Sequence, residues 1–222
     1  MPFELPTDLT PELVPLSWLI GHWEGTGVLG YAEEESQQFE QHITFSQNGL
    51  PYLIYTNESW LIDEDGQRLR PLTMETGIWQ LDRPQNDADS GPGMLPADIV
   101  PALRTADDVE KLRNGDGGFD IVATIVHPGG VSELYVGQIK GPRIDLSTDA
   151  VMRAPGAKDY RADTRMYGLV EGDLLWAWDI AAAGLALGSG YGNWSKTTFR
   201  IANFPALPDV AYDQLLQLLA AG

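Results

Sequence analysis

Thr10-Pro11-Glu12-Leu13-Val14-Pro15-Leu16-Ser17-Trp18-Leu19-Ile20 runs directly into Gly21-His22-Trp23-Glu24-Gly25-Thr26-Gly27, and the change of rhythm at Gly21 decides the fold. Before it, Thr10 reads as an N-cap, Pro11 suits a first helical turn, and Glu12 sits where a helix favours an acid. Leu13, Leu16 and Leu19-Ile20 supply an apolar stripe at helical spacing, so a short helix is expected. Gly21 ends it. After it, Gly21, Gly25 and Gly27 fall on the same face of a strand as Trp23, with His22 opposite. Glycines on one strand face permit tight curvature and a close approach of backbone or ligand. A dinucleotide fingerprint would follow a strand and open a helix. This stretch does the reverse.

Downstream, ten short β-like runs follow, at approximately 22–31, 37–46, 51–62, 70–81, 119–127, 131–139, 142–151, 160–170, 173–182 and 194–202. Turn chemistry separates most of them: Gln47-Asn48-Gly49, Asp63-Glu64-Asp65-Gly66, Pro128-Gly129-Gly130, Gly141-Pro142 and Glu171-Gly172-Asp173. In the later runs Tyr160, Ala162, Thr164 and Met166 alternate with Arg161, Asp163, Arg165 and Tyr167, and Trp176, Trp178 and Ile180 with Leu175, Ala177 and Asp179. Hairpin-length links between ten alternating strands predict an antiparallel barrel or sandwich, not a βαβ fold. Residues 83–118 are rich in Pro, Gly and Asp and read as a loop insertion between the fourth and fifth strands. Thr105 caps a short helical turn inside it. Asp209 to Ala221 reads as a C-terminal helix. The expectation is one domain over residues 1–222.

The chain carries 14 Lys and Arg against 32 Asp and Glu, a net charge of -18, and no cysteine. Disulfides, thiolate metal sites and a cysteine nucleophile are thereby excluded. So acidic a surface repels phosphate backbones and anionic lipid, so neither nucleic acid nor a membrane is an expected partner. No apolar run approaches the roughly 20 residues of a membrane helix, and Met1 to Pro15 lacks the pattern of a signal peptide. A cytoplasmic location is the resulting expectation.

Several stretches together resemble the nitrobindin family of small haem-containing β-barrels, related in shape to fatty-acid-binding proteins. Leu16 to Gly27 is similar to the family's opening helix and GxWxGxG. Pro51-Tyr52-Leu53-Ile54-Tyr55 resembles its third strand, Pro71 to Trp79 its HxESGYxR strand, and His127-Pro128-Gly129-Gly130-Val131-Ser132-Glu133 its HPxGxxE turn. With the resemblance, the expected fold is a ten-stranded, antiparallel, up-and-down β-barrel with the N-terminal helix over one opening, and the pocket it implies includes Gly21, Trp23, Gly25, Gly27, Met74, Glu75 and His127.

Two departures shape the functional expectation. Where family members carry a YPTI stretch, this chain reads Gly30-Tyr31-Ala32-Glu33-Glu34-Glu35. The family's iron-bearing histidine falls at Gly190 or its neighbours Ser189 and Tyr191, within Gly184 to Gly192, where there is no histidine. The leading expectation is therefore a barrel without haem, with no catalytic residue, no metal and no cofactor, of unknown role and open to a small apolar ligand. The alternative is a ferric haem b protein acting on nitric oxide or peroxynitrite, a peroxynitrite isomerase, with the Tyr191 phenolate on iron. A third reading is an interaction protein whose cavity its own side chains fill. His22, His42 and His127 read as surface or hydrogen-bonded structural histidines. Glu33 to Glu35 read as a solvated edge, since consecutive strand residues cannot converge. Asn114 to Gly118 reads as a turn, the seven tryptophans read as barrel filling, and no serine sits on a nucleophile elbow.

Overall fold

The structure is a computed structural model that describes residues 9–29, 37–89, 91–92, 101–182 and 195–197. Ten strands follow one another around a single sheet in chain order: β1 (Gly21–Leu29), β2 (Gln37–Ser46), β3 (Leu53–Ile62), β4 (Arg68–Leu81), β5 (Phe119–His127), β6 (Val131–Lys140), β7 (Arg143–Arg153), β8 (Tyr160–Val170), β9 (Asp173–Ala182) and β10 (Ser195–Thr197). Each pairs antiparallel with the next. The inward faces share one continuous core, so the sheet is an all-β, nearly closed barrel. Of the expected last run, 194–202, the three residues of β10 are described. The expected C-terminal helix lies outside the described residues.

The turns follow their sequence signals. Between β8 and β9, Glu171 (φ 54) and Gly172 (φ 93) both take the positive φ of a primed hairpin turn. Glycine is required differently at Gly137. A Cβ there would stand 1.9 Å from the Asp145 carbonyl oxygen and 2.9 Å from Leu146 Cα, so β6 and β7 approach more closely than any side chain allows. Gly137→Ala is expected to cost about 1–3 kcal/mol, the range for overpacking a filled interior. Urea titration checks this, and an unchanged midpoint would refute the close approach.

The N-terminal helix differs from expectation in kind. Pro11–Leu19 is a 3-10 helix with Pro15 inside it. Leu13, Leu16 and Leu19 recur every third residue, which aligns them along a helix of three residues per turn, and all three are fully buried. Pro15 brings no N–H for an α-type bond. Thr10 does not cap with its side chain. The helix closes one end of the barrel. The 83–118 segment is attached there: Arg83 makes paired contacts with Glu12 (2.9 Å) and Asp89 (2.5 Å), and Val109 is buried in the core. The capped turn forms as α1 (Ala106–Glu110), with Thr105 Oγ1 accepting from the Asp108 N–H at 3.1 Å.

Candidate functional site

At the end of the barrel opposite the 3-10 helix, the interior is charged. Glu75 on β4, Glu133 on β6, and Asp163 and Arg165 on β8 are at most 2% exposed. Charges so deep survive only when paired and hydrogen-bonded. Arg165 is the hub. Its guanidinium grips Glu75 at both oxygens (2.9 and 3.0 Å), and its Nε donates to the Tyr135 hydroxyl oxygen at 3.0 Å. It also lies 3.6 Å from Asp163 and 3.9 Å from Glu133, and over the Trp178 ring at 4.3 Å. Burial pushes the Glu75 carboxyl up, but Arg165, His127 and the Tyr55 hydroxyl outweigh it and hold the group at about 2. Tyr55 donates to Glu75 at 2.8 Å.

Two bulges aim further groups into this cluster. The β6–β7 register skips Asp149, so Thr148 faces inward beside Tyr135. Thr148 Oγ1 then reaches Asp163 Oδ1 at 2.8 Å and accepts from the Asp163 N–H at 2.9 Å. On β8 the register skips Arg161. Tyr160, expected on the same face as Ala162 and Thr164, turns instead to donate to Asp163 Oδ2 at 2.6 Å. The Trp178 N–H donates to the same oxygen. His127, at the end of β5, holds Nε2 2.6 Å from Glu133 Oε2 and Nδ1 3.4 Å from Glu75 Oε1. Its side chain is 13% exposed and its ring stacks on Trp178.

The expected pocket residues separate as follows. Trp23, Gly25 and Gly27 share the inward face of β1, and His22 is exposed, with Nδ1 2.8 Å from Thr44 Oγ1. Gly25 pairs with Gln41, and the Trp176 indole N–H crosses from β9 to donate to the Gln41 amide oxygen at 3.0 Å. Trp23 serves the other end of the barrel, donating to the Leu19 carbonyl at 2.8 Å. Glu75 and His127 join the charged cluster. Met74 does not: alternation turns it outward, 42% exposed, once Glu75 points in. Gly21 starts β1 at the closed end. Ser189, Gly190 and Tyr191 lie outside the described residues. Two grooves of about 610 and 680 Å³ lie along the sheet, and the larger one counts Arg165 among its lining residues.

Sequence reasoning missed Glu133, Tyr135, Thr148, Tyr160, Asp163 and Arg165 as site residues. The available signal was phase. Arg165 and Tyr167 pair with Trp178 and Trp176 across β8 and β9, so a face that holds two charges must be the inner one.

Residues 12–190 match the model of the THAP4-like, heme-binding beta-barrel domain family. A protein of Renibacterium salmoninarum is 69% identical over 187 residues, covering 84% of this chain and 89% of its own length. One from Pseudarthrobacter chlorophenolicus is 67% identical over 186 residues, covering 84% and 92%. One from Leifsonia xyli is 57% identical over 187 residues, covering 83% and 93%. All three are named peroxynitrite isomerase. Among solved structures, Rv2717c from M. tuberculosis superposes with a TM-score of 0.57 at 23% identity, over 88% of this chain and 99% of its own, a likeness of fold. These findings overturn two expectations: a barrel without haem and of unknown role, and the absence of a cofactor. Both had rested on the missing histidine in residues 184–192, a stretch the similarity between whole chains outweighs.

Proposed function

The chain belongs to the THAP4-like, heme-binding beta-barrel domain family, and from that premise we propose that it is a ferric haem protein that isomerises peroxynitrite to nitrate. The observation that carries this reading is the 57–69% identity, over more than four-fifths of the chain, to proteins named for that activity. Bound haem supplies a Lewis-acidic, redox-active iron at which peroxynitrite rearranges.

The donor set at the open end of the barrel supports part of this fit. Gly27 brings no side chain to the inner face of β1, and Trp178 and His127 present stacked rings, a lining suited to a flat aromatic ligand. Below them Trp176, Tyr167, Trp79 and Arg165 fill the interior, so a haem would be held nearer the mouth than the barrel centre. Among the described residues, His127 would not serve as the iron donor, because both of its nitrogens face carboxylates. We assign that donor to the segment following β9, where the resemblance puts the iron ligand and where Tyr191 supplies a phenol.

Purification with haem supplied tests the reading. A stoichiometric Soret band is expected, together with accelerated peroxynitrite decay that yields nitrate and is absent from the haem-free protein. Tyr191→Phe is expected to lose or shift the band, and Gly190→His to tighten haem binding. A folded wild-type barrel that takes up no haem overturns the proposal.

A further inference from the structure

The buried cluster has one proton fewer than its geometry requires. The Tyr135 hydroxyl lies 2.7 Å from Glu133 Oε2 and 2.7 Å from Asp163 Oδ2, and it accepts from Arg165 Nε at 3.0 Å. A phenol owns one proton and can donate it to one carboxylate. At the other contact, two oxygen atoms meet at hydrogen-bond distance with nothing between them unless that carboxyl is itself protonated and donates to the second lone pair of Tyr135. Leaving both carboxylates charged would also set two like charges on one phenol in a dry interior, a costly arrangement.

We propose that Glu133, Tyr135 and Asp163 share one acid proton, and that His127 is the port through which it exchanges with an oxyanion bound at the barrel mouth. The oxyanion part rests on the peroxynitrite reading; the shared proton does not. Each member's surroundings agree. Glu133 faces His127 from β5, Tyr135 on its own strand, Thr148 from β7 (3.3 Å) and Arg165 from β8. Asp163 faces Tyr135, Thr148, Trp178 and, on its own strand, Tyr160 and Arg165. His127 faces Glu133 and Glu75, with Trp178 stacked on it and Tyr160 tilted beside it. Burial pushes the Asp163 carboxyl up; Arg165 opposes this and the Glu133 charge adds to it. His127 is tied to Glu133 through Nε2, and its side chain keeps 13% exposure, which opens the group toward the mouth. The path runs from Asp163 through the Tyr135 hydroxyl to Glu133 and on to His127 Nε2. Isomerisation of peroxynitrite to nitrate is neutral in protons, so the proton lent to the oxyanion returns along the same path. His127 thus acts as an acid–base group and Glu133 positions it, as a carboxylate orients an imidazole in other acid–base sites.

Infrared difference spectroscopy of the full chain at neutral pH tests this. The wild type is expected to show one carboxylic-acid C=O stretch that shifts in D2O and disappears in both Asp163→Asn and Glu133→Gln. Retained near-UV circular dichroism establishes that each variant is folded. Absence of the band in the folded wild type overturns the shared proton. His127→Asn is expected to keep the band but slow its hydrogen–deuterium exchange by roughly 10²-fold, the low end of what a positioned acid–base group contributes. Exchange at the wild-type rate overturns the port. In haem-loaded protein the same variant should flatten the pH profile of peroxynitrite decay, with rates taken per mole of haem bound. Failure to take up haem sinks the function while the band still decides this inference. Haem uptake without the band sinks this inference and leaves the function standing.

Discussion

Arg165→Met is expected to destabilise the barrel by about 3–5 kcal/mol at neutral pH, the range for breaking a buried ion pair from one side. The side chain it replaces is fully buried and holds Glu75 with two hydrogen bonds while facing Glu133 and Asp163. Methionine fills much of the volume but leaves the carboxylates without their cation. Most of the loss is therefore the cost of stranded charge, and Glu75→Gln in the same background should recover a large part of it. The pH dependence carries a sign that separates this account from simple loss of packing. In the wild type Glu75 is held at about 2 against an ordinary 4.5, so it contributes stability that is present above 4.5 and lost as pH falls toward 2. Asp163, pushed up, has the opposite sign and loses its contribution as pH rises above its ordinary 3.8. Without Arg165, burial dominates at Glu75 as well, so the variant should gain stability as pH falls through the carboxylate range. Urea midpoints of wild type and variant between pH 7 and pH 4 measure this. Parallel curves would show that the guanidinium acts by filling space and not by its charge.

The strand count and order were legible because each link carries turn residues with a defined φ requirement and each run alternates. The inside of the barrel was less so, for a physical reason: alternation reports two faces without saying which is wet. Asp163 and Arg165 look like a solvent face until their pairing partners Ile180 and Trp178 fix the phase. The bulges at Asp149 and Arg161 left no mark in the sequence, as neither skipped residue is a glycine, and they decide where Thr148 and Tyr160 point. Local pattern also misled at the N-terminus. The three-residue spacing of Leu13, Leu16 and Leu19 fits an α-helical stripe and a 3-10 ridge equally, and Pro15 decides between them. At the position of the family's iron ligand, one missing histidine outweighed a resemblance that ran the length of the barrel. Identity of 57–69% over more than four-fifths of the chain restores the balance, because it samples many positions and not one.

Trp79→Ala is expected to cost about 3–5 kcal/mol, the usual range for removing a fully enclosed large aromatic ring. Trp79 is completely buried and packs edge-on against Phe45 (5.4 Å between centroids) and Tyr167 (5.2 Å), with Tyr55 at 5.8 Å. These partners come from β2, β8 and β3, so the lost ring leaves a cavity bordered by strands that cannot collapse together without shortening the barrel. Trp23 gives the contrast. Its position between glycines on the inner face of β1 suggests a comparable core role, yet it is half-buried and fastens the barrel to the 3-10 helix through the Leu19 carbonyl. Trp23→Ala should therefore cost less, about 1–3 kcal/mol, since it loses one hydrogen bond to the Leu19 carbonyl and only part of the burial of one ring. His22→Ala, one residue away and exposed, should stay within about 0.5 kcal/mol. The order Trp79, Trp23, His22 tests strand phase at both ends of the sheet, because a slip of one residue exchanges the two faces. Equal costs at His22 and Trp23 would mean that β1 presents neither face to the core. A cost at Trp79 no larger than at Trp23 would mean that the aromatic layer beneath the 3-10 helix is not the part of the barrel that holds its strands together.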